Sequence, residues 1–311
     1  MLGPREQEVL SKKLQQHPRI CITGASGWIG KEASDLLYRT LGAEFQNRVT
    51  LVTSKGGDIV LQSGAFPTIS WDKFVETGDY DLILHFAFLN QDKVKKFGVS
   101  TFIEINRKIT SDVLQVSSRN LSGGMLAASS GAAKSYKSDL RSNSPYEVYA
   151  GIKTEMETRL ISNGGFSHLG LMRIWNISGI YANLDAPYAL SSFLSQGLGG
   201  DTIHVTGALD ALRTYVNAQE MIWVYIMSLG NLDYCVFDSG GFTIGLLDLA
   251  NLVSSSLGNK SVLSKPGTTS ALVNYTPDVS KFNSLANDLS LELSSLQQQV
   301  GLLVQFHTNA L

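Results

Sequence analysis

The stretch Arg19–Gly30, RICITGASGWIG, decides the fold: an apolar strand runs directly into a turn with three glycines at three-residue spacing. In such a turn Gly24 permits the tight bend, Gly27 lets backbone amides approach a pyrophosphate, and Gly30 lets the next helix pack on the strand. The helix predicted from about Trp28 to Leu41 directs its positive N-terminal end at the anion. The ordinary alternative is a glycine-rich turn between a strand and a helix.

Apolar strands alternate with amphipathic helices along most of the chain, which is typical of a parallel sheet with helices on both faces. We therefore predict an α/β fold, a Rossmann-type doubly wound parallel sheet with a smaller C-terminal substrate lobe. The predicted strands fall at roughly 19–24, 48–53, 81–88, 124–130, 169–175 and 234–237.

The predicted domain boundaries follow from where this alternation begins and where it loosens. Residues 1–18 are polar with scattered charges and are predicted to be an N-terminal extension, followed by a dinucleotide-binding domain at 19–176. Glycine, serine and asparagine then become frequent, so residues 177–311 are predicted to form a substrate-binding lobe interleaved with late Rossmann elements. Leucines at helical spacing predict a helix over 284–300.

The composition excludes several classes of function. With 311 residues, of which 43% are apolar, the chain can bury a core unaided. Its net charge is −2 and it has no basic stripe, so we expect no nucleic-acid partner. No apolar run reaches membrane-spanning length and the N-terminus is unlike a secretory signal, so we expect a cytoplasmic enzyme with no membrane partner.

The cysteines and histidines show no metal-ligand pattern. Cys21 and Cys235 lie in apolar strands and are predicted to be buried thiols rather than a disulfide. The five histidines are dispersed, so we predict no metal ion. His85 lies in an apolar strand, where a hydrogen-bonded structural histidine is favoured over a catalytic one.

Tyr149 and Lys153 form the second motif, four residues apart at the start of a predicted helix, so their side chains share one face. A phenol with an ordinary pKa of about 10 is a poor acid–base catalyst at neutral pH, but a nearby ammonium lowers that pKa. Tyr149 can then exchange a proton with a carbinol or ketone while hydride moves to or from a nicotinamide. A tyrosine and a lysine on one surface helix face are the ordinary alternative.

Two hydroxyls end the predicted strand that precedes this helix. Ser129 and Ser130 follow an apolar run, at the carboxyl edge of the sheet where ligands bind in doubly wound folds. Either hydroxyl can hydrogen-bond the substrate oxygen beside Tyr149. A Ser-Ser-Gly sequence is also an ordinary turn at the end of a strand.

The end of the second predicted strand bears on the choice of cofactor. In NAD-binding sheets an acidic residue there takes the ribose hydroxyls. This chain has Thr53, Ser54 and Lys55, two hydroxyls and a cation that suit the extra phosphate of NADP. Asp58 is the nearest acid, and through it NAD remains the alternative.

On these residues the chain resembles the extended short-chain dehydrogenase/reductase family of nucleotide-sugar epimerases, dehydratases and ketoreductases. Thr23–Gly30 resembles the family's cofactor loop, and Tyr149 with Lys153 resembles its catalytic pair. The resemblance continues in order along nearly the whole chain, through Asp81–Ala87, Asn106 with Thr110, Ser129–Ser130, Leu171–Gly179, Arg213–Glu220 and Tyr275–Ser280.

The resemblance implies roles for the residues in these motifs. It implies that Ser130, Tyr149 and Lys153 are catalytic. With the strand end described above, it implies that the dinucleotide contacts Gly24, Ser26, Gly27, Trp28, Ile29, Gly30, Thr53, Ser54, Lys55, Phe86, Ala87, Tyr149, Lys153 and Ile174. It also implies that the diphosphate and sugar of a nucleotide-sugar substrate contact Phe88, Ser129, Ser130, Asn176 and Arg213.

The chain departs from the family's dehydratases directly after the catalytic hydroxyl. Those enzymes carry an Asp-Glu pair there, whereas Gly131, Ala132 and Ala133 follow Ser130, so no acid or base is available for eliminating water. The leading prediction is an NADPH-dependent reductase of a nucleoside-diphosphate-linked keto sugar, acting as a homodimer. An NAD-dependent nucleotide-sugar epimerase with the same Tyr149/Lys153 pair stays open, as does a non-catalytic dinucleotide-binding sensor.

Overall fold

The computed structural model describes residues 2–120, 122–134, 144–163, 166–200, 202–209, 211–230, 234–266 and 274–309. The chain divides into two compact units. The first, which we call the sheet unit, comprises Leu2–Ile174 and Ile222–Phe237. The second, which we call the C-terminal unit, comprises Trp175–Met221 and Asp238–Leu311.

The large sheet has the predicted Rossmann-type arrangement. Its strands are β1 Ile20–Thr23, β2 Val49–Thr53, β3 Lys55–Leu61, β4 Gly64–Ser70, β5 Leu82–His85, β6 Gly124–Ser130, β7 His168–Ile174 and, later in the chain, β11 Tyr234–Asp238. Within the described residues these eight strands pair in the order β11-β7-β6-β5-β1-β2-β4-β3. The order runs outward from β1 in both directions, which confirms a doubly wound fold.

The pairings from β7 through β6, β5, β1 and β2 to β4 are parallel, whereas β3 is antiparallel to β4. Parallel strands covered on both faces are continuous apolar runs, and every residue of β1, β5 and β6 is buried. The strands β1, β2, β5 and β6 therefore end at one carboxyl edge, at Thr23, Thr53, His85 and Ser130.

Helices and short connections cover this sheet. They are α1 Pro4–Leu14, α2 Trp28–Leu41, a 3₁₀ turn at Gly42–Glu44, α3 Phe45–Arg48, α4 Trp71–Thr77, α5 Asp92–Phe97, α6 Val99–Ser117, α7 Gly131–Lys134 and α8 Pro145–Ser162. A proline begins α8, where its missing N–H costs no helical hydrogen bond. Phe102, Val113, Val148 and Leu160 are buried side chains of α6 and α8.

The sequence prediction missed two features of the sheet unit. The N-terminal extension contains helix α1, which buries Leu10 and Leu14 and accepts a 2.9 Å hydrogen bond from Trp223 Nε1 at the Glu6 carbonyl. The segment between β2 and α4 forms the hairpin β3–β4, in which Ile59, Leu61 and Phe66 are buried. In addition, the strand predicted at 81–88 is shorter in the structure, because β5 ends at His85, three residues before residue 88.

The C-terminal unit contains two small sheets and several helices. Strands β8 Asn176–Ser178, β10 Leu212–Asn217 and β12 Phe242–Gly245 form one sheet, and β9 Thr202–Gly207 pairs with β13 Ser261–Pro266. The helices include α9 Ala189–Gly199, α11 Leu246–Ser256, α12 Ser280–Asp288 and α13 Leu296–Asn309. Helix α10, Ala218–Ser228, begins in this unit and continues into the sheet unit.

The predicted helix over 284–300 is wrong, because the chain leaves the helical conformation between α12 and α13. Ser290 has a φ of 55°, a left-handed conformation that ends a helix, and Leu291 N donates back to the Ala286 carbonyl. The leucine periodicity is therefore shared by two helices. Among the described residues, no helix combines the length and the apolar character needed to cross a membrane.

The buried thiol prediction is confirmed, since Cys21 in β1 and Cys235 in β11 are 0% and 4% exposed.

Because α2 packs closely on β1, we expect a methyl group at Gly30 to destabilise the fold, and a methyl group at a helix glycine with open space around it to stabilise the fold. A Cβ at Gly30 would lie 2.1 Å from the Gly24 carbonyl oxygen, whereas a Cβ at Gly301 in α13 meets no atom within 4 Å. We expect Gly30→Ala to lower the free energy of unfolding by at least ~2 kcal/mol through overpacking. Gly301→Ala should raise it by ~0.5–1 kcal/mol by removing helix-interior glycine. Urea titrations of both variants measure these changes, and equal effects would contradict the packing argument.

Candidate active site

The glycine turn lies at the carboxyl end of β1, against the end of β5. Gly24 has a φ of 69°, and a Cβ there would lie 2.7 Å from both the Phe86 carbonyl carbon and the Ala87 nitrogen. A side chain at this position would therefore push the turn away from β5. The close approach brings Phe86 and Ala87 beside the predicted phosphate-binding turn.

The N-terminus of α2 has the features of a phosphate site. Gly27 is its N-cap, so no side chain caps the helix, and the first turn contains no acidic residue. The first amides of a helix lack intrahelical acceptors and carry the positive end of its dipole. Ser26 and Gly27 are exposed, and Trp28 and Ile29 are half-buried. These residues fit the pyrophosphate of a dinucleotide, because its oxygens supply the acceptors that the turn lacks.

The carboxyl end of β2 is occupied by hydroxyls and a lysine. Thr53 Oγ1 accepts a 3.0 Å hydrogen bond from Gly56 N and lies 3.0 Å from Thr68 Oγ1, so this hydroxyl helps to form the turn into β3. Ser54 and Lys55 follow with exposed side chains. Asp58 pairs with Pro67 three residues further along β3. Because β3 runs back from the carboxyl edge, Asp58 lies about 10 Å from it.

His85, the last residue of β5, is a buried, hydrogen-bonded histidine, as predicted. Its Nδ1 lies 2.8 Å from Thr23 Oγ1, and its Nε2 has no hydrogen-bond partner among the described residues. Burial, together with the positive charge of Lys153, lowers the pKa of His85 to about 3. The imidazole is therefore neutral at neutral pH.

Tyr149 and Lys153 lie on helix α8, as predicted, one turn apart. Lys153 is only 3% exposed, and its Nζ donates a 2.7 Å hydrogen bond to the Ala128 carbonyl of β6. Burial lowers the pKa of Lys153 to about 7, while the negative charge of Glu157 opposes that shift. An amine with such a pKa exchanges protons in the neutral range, which suits acid–base chemistry.

Phe88 contacts both members of this pair. The Lys153 Nζ lies 3.5 Å from the centroid of the Phe88 ring, a cation–π geometry. The Phe88 and Tyr149 rings meet edge to face, with centroids 6.2 Å apart. Asn106 Oδ1 accepts a 2.9 Å hydrogen bond from Leu89 N, which holds the turn that carries Phe88. The structure thus brings Phe88, Tyr149 and Lys153 together.

The two candidate serines differ in what their hydroxyls do. Ser129 Oγ donates a 2.5 Å hydrogen bond to the buried Glu157 carboxylate. Ser130 Oγ instead accepts a 3.2 Å hydrogen bond from Ala132 N at the start of α7. Ser129 has therefore committed its proton inside the protein, whereas the bond made by Ser130 leaves its proton for another acceptor.

Sequence reasoning missed Glu157 of α8 and Arg173 of β7, which form an ion pair. Arg173 Nε and Nη2 donate to the Glu157 carboxylate at 2.6–3.2 Å. The sequence does contain a signal for Glu157: this residue follows Lys153 by four positions, and Lys153 follows Tyr149 by four positions. Arg173 gave no such signal, since its partner is distant in the sequence.

The remaining predicted site residues fall in β7 and in the C-terminal unit. Ile174 is the half-buried last residue of β7. In the C-terminal unit, Asn176 Nδ2 donates a 3.2 Å hydrogen bond to the Thr214 carbonyl, and Arg213 Nη1 donates to the Leu212 carbonyl at 2.8 Å. Glu220 is buried and accepts hydrogen bonds from Ser294 N at 3.1 Å. The substrate roles of Asn176 and Arg213 stay predictions.

A doubly wound sheet, a glycine turn after its first strand and a Tyr-x₃-Lys pair on a helix packed against β6 define the class of extended short-chain dehydrogenases/reductases. The family model described as the NAD dependent epimerase/dehydratase family matches residues 20–235. The chain belongs to this family and is a nicotinamide-dinucleotide-dependent enzyme. No curated protein sequence matches the chain.

Solved structures confirm the fold. The UDP-N-acetylglucosamine 4-epimerase from Methanobrevibacter ruminantium M1, in complex with UDP-N-acetylmuramic acid, is 19% identical with a TM-score of 0.72, covering 95% of this chain and 100% of its own. The UDP-glucose 4-epimerase from Thermotoga maritima, with UDP-glucose, is 17% identical with a TM-score of 0.71 over 94% and 99%. The dTDP-glucose 4,6-dehydratase from Streptomyces venezuelae, with NAD bound, is 19% identical with a TM-score of 0.69 over 94% and 97%.

The open N-terminus of α2 yields a binding prediction. At Gly27 the φ is −78°, and the nearest atom to an added Cβ is the Gly24 carbonyl oxygen at 3.3 Å. We expect Gly27→Val to fold but to lose at least ~10-fold in dinucleotide affinity, because a branched side chain obstructs the pyrophosphate. Calorimetric titration with NADPH and NADH measures this loss, with Gly199→Val, where an added Cβ meets no atom within 4 Å, as the control. Unchanged affinity in folded Gly27→Val would refute the site.

Proposed function

We propose that this enzyme is an NADPH-dependent reductase of a keto sugar linked to a nucleoside diphosphate. The observation that carries the proposal is the carboxyl end of β2, where Thr53, Ser54 and Lys55 stand instead of an acid. In the family that this chain resembles, reductases bind NADPH and release NADP. Epimerases hold NAD tightly and return the hydride to the sugar. The similar structures with UDP-sugar ligands support a nucleotide-sugar substrate.

The geometry of the β3 strand strengthens the NADP preference. Lys55 begins β3 at the carboxyl edge and is exposed there, beside the exposed Ser54 hydroxyl. Asp58, the nearest acid, lies in the part of β3 that runs away from this edge. A phosphate on the adenosine ribose would therefore meet a donor and a cation, while the Asp58 carboxylate would lie about 10 Å from this edge.

The chain's own residues divide the work of reduction. When bound, the dinucleotide supplies a hydride to the carbonyl carbon. Tyr149 donates its phenolic proton to the carbonyl oxygen, which becomes the product hydroxyl, and the Lys153 ammonium favours the phenolate left behind. Ser130 donates a hydrogen bond to the same oxygen, which stabilises negative charge as it develops. Ser129 is engaged with Glu157, so Ser130 takes this role.

Dehydration has no support in the residues that follow Ser130. Gly131, Ala132 and Ala133 begin α7, and all three are buried. None of them can add or remove a proton, so the position that carries the Asp-Glu pair in dehydratases offers no acid or base here. This leaves reduction and epimerisation for the Tyr149/Lys153 pair.

An NAD-dependent nucleotide-sugar epimerase is the second candidate, because it requires the same Tyr149/Lys153 pair. Mass spectrometry of the nucleotide released from purified protein separates the two: tightly held NAD would support an epimerase, and weakly held NADP would support a reductase. A non-catalytic sensor would bind a dinucleotide without turnover.

The homodimer, the cytoplasmic location and the diphosphate contacts of Asn176 and Arg213 remain predictions of the sequence.

Removal of the Tyr149 hydroxyl tests proton transfer. We expect Tyr149→Phe to lower turnover by at least ~10²-fold while cofactor affinity changes little, since only the proton donor is lost. The assay follows NADPH oxidation with UDP-linked and dTDP-linked 4-keto-6-deoxy sugars. Tyr146→Phe, three residues earlier on the same helix, is the matched control and should keep its turnover. Near-normal turnover in Tyr149→Phe would remove the catalytic assignment.

The cofactor preference is tested at the end of β2. We expect Ser54→Asp with Lys55→Ala to shift discrimination from NADPH toward NADH by at least ~10-fold, because charge-assisted bonds are lost and repulsion is added. Dissociation constants for both cofactors are measured at one ionic strength, since salt screens exposed charges. Lys73→Ala, which removes another exposed lysine of the sheet unit, is the control. A wild-type protein that binds NADH more tightly than NADPH would instead favour the epimerase.

A further inference from the structure

Helix α8 carries a third polar side chain on the face of Tyr149 and Lys153. Glu157 follows Lys153 by four residues, so the three side chains form one stripe along the helix. Glu157 is only 5% exposed, and the proposed reaction does not use it. A buried carboxylate requires hydrogen-bond partners, so its surroundings define what it does.

The partners of Glu157 come from two neighbouring strands. Ser129 Oγ donates to its Oε1 at 2.5 Å, and Arg173 donates through Nε and Nη2 at 2.6–3.2 Å. Ser129 of β6 and Arg173 of β7 are direct partners in the sheet ladder, so their side chains leave the same face of the sheet. Glu157 therefore joins α8 to both strands.

These bonds connect α8 to the end of β6. The hydrogen bond from Lys153 Nζ to the Ala128 carbonyl is a further connection between the same two elements. The connections attach at consecutive residues, Ala128 and Ser129, directly before Ser130. They hold the helix turn that carries Tyr149 in a defined position relative to the Ser130 hydroxyl.

Glu157 also acts on the charge of Lys153. Burial lowers the pKa of Lys153 to about 7, and the Glu157 carboxylate raises it. Among the residues that the structure describes, the other groups around the amine contribute no negative charge: the Phe88 ring faces it, and His85 is neutral, with a pKa of about 3. Tyr149 on α8 is a neutral phenol until it gives up its proton, and the Arg173 cation is paired with Glu157 itself.

We infer that Glu157 is a positioning residue, which keeps Lys153 protonated and seats α8 on β6, so that it supports proton transfer by Tyr149 without touching the substrate. The inference rests on the proposed function only for the part played by the Tyr149/Lys153 pair. Arg173 and Ser129 in turn hold the Glu157 carboxylate in place through their hydrogen bonds. The same network explains why Ser129 is unsuited to bind substrate.

The direct test is the titration of Lys153 without cofactor or substrate. In full-length protein labelled with ¹³Cε-lysine, the Lys153 signal is assigned by its absence in Lys153→Met and followed by NMR against pH. We expect Glu157→Gln, which keeps the side-chain shape, to lower the titration midpoint by about one pH unit. Glu155→Gln is the matched control: Glu155 lies two residues away on α8 and pairs with Arg107 on the helix exterior, so the Lys153 midpoint should not change.

Kinetics provide the second arm. At pH 7.5 we expect Glu157→Gln to lower kcat at least ~10-fold with little change in the KM for the sugar, because the residue does not contact it. Glu157→Asp, which keeps the charge, should restore part of kcat. Ser129→Ala removes the hydrogen bond from Ser129 to Glu157 and keeps the Glu157 carboxylate. We therefore expect kcat to fall ~5-fold while the titration midpoint of Lys153 stays at the wild-type value.

The outcomes are distinct. An unchanged Lys153 midpoint in folded Glu157→Gln would overturn the inference, whatever the protein is found to catalyse. If Glu157→Gln does not fold, a wild-type kcat in Ser129→Ala would show that the hydrogen bond from Ser129 to Glu157 does not position α8. If the midpoint falls as expected and no keto sugar is reduced by any of the proteins, the proposed function fails while the positioning role stands.

Discussion

The placement of an ammonium group inside the sheet unit is the constraint on which the candidate site depends. Lys153 is almost wholly buried, and water cannot solvate its charge, so the protein must supply every stabilising contact. The Ala128 carbonyl, the Phe88 ring and the charge of Glu157 provide them from a strand, a turn and the same helix. Because all three contacts act on one atom, small shifts of α8 against β6 would change its charge. The closely packed core beneath the helix resists such shifts.

The carboxyl edge of the sheet gathers the other parts of the site around this group. The parallel strands β1, β2, β5 and β6 end together, so the glycine turn, the hydroxyls and lysine after β2, His85 and Ser130 share one edge. The glycines of the turn differ in how closely neighbouring atoms surround them. Gly24 and Gly30 are required by the fold, because a Cβ would meet backbone atoms at 2.7 and 2.1 Å. At Gly27 the nearest atom to an added Cβ is the Gly24 carbonyl oxygen at 3.3 Å, so packing alone does not require a glycine there.

Strands β1, β2, β6 and β7 were predictable to within about a residue, because a strand covered on both faces is a continuous apolar run. The hairpin β3–β4 was not, since its exposed edge strand leaves only alternate residues buried and includes two adjacent glycines at positions 56 and 57. The sequence did not predict helix α1, because the helix has only a narrow apolar face. Contacts with residues distant in the sequence stabilise it, such as the hydrogen bond from Trp223 Nε1 to the Glu6 carbonyl. The break at Ser290 has no strong local signal, as neither glycine nor proline marks it.

The sequence by itself determined the fold class, the family, the glycine turn after β1 and the spacing that places Tyr149 and Lys153 on one helix face. These features depend on residues close together in the chain, so local order reveals them. Tertiary structure alone decided that Lys153 is buried with a pKa of about 7, that Ser129 and not Ser130 binds Glu157, and that Asp58 lies away from the carboxyl edge. Desolvation and charge pairing arise between groups that are far apart in sequence, and only the folded chain brings those groups within reach of one another.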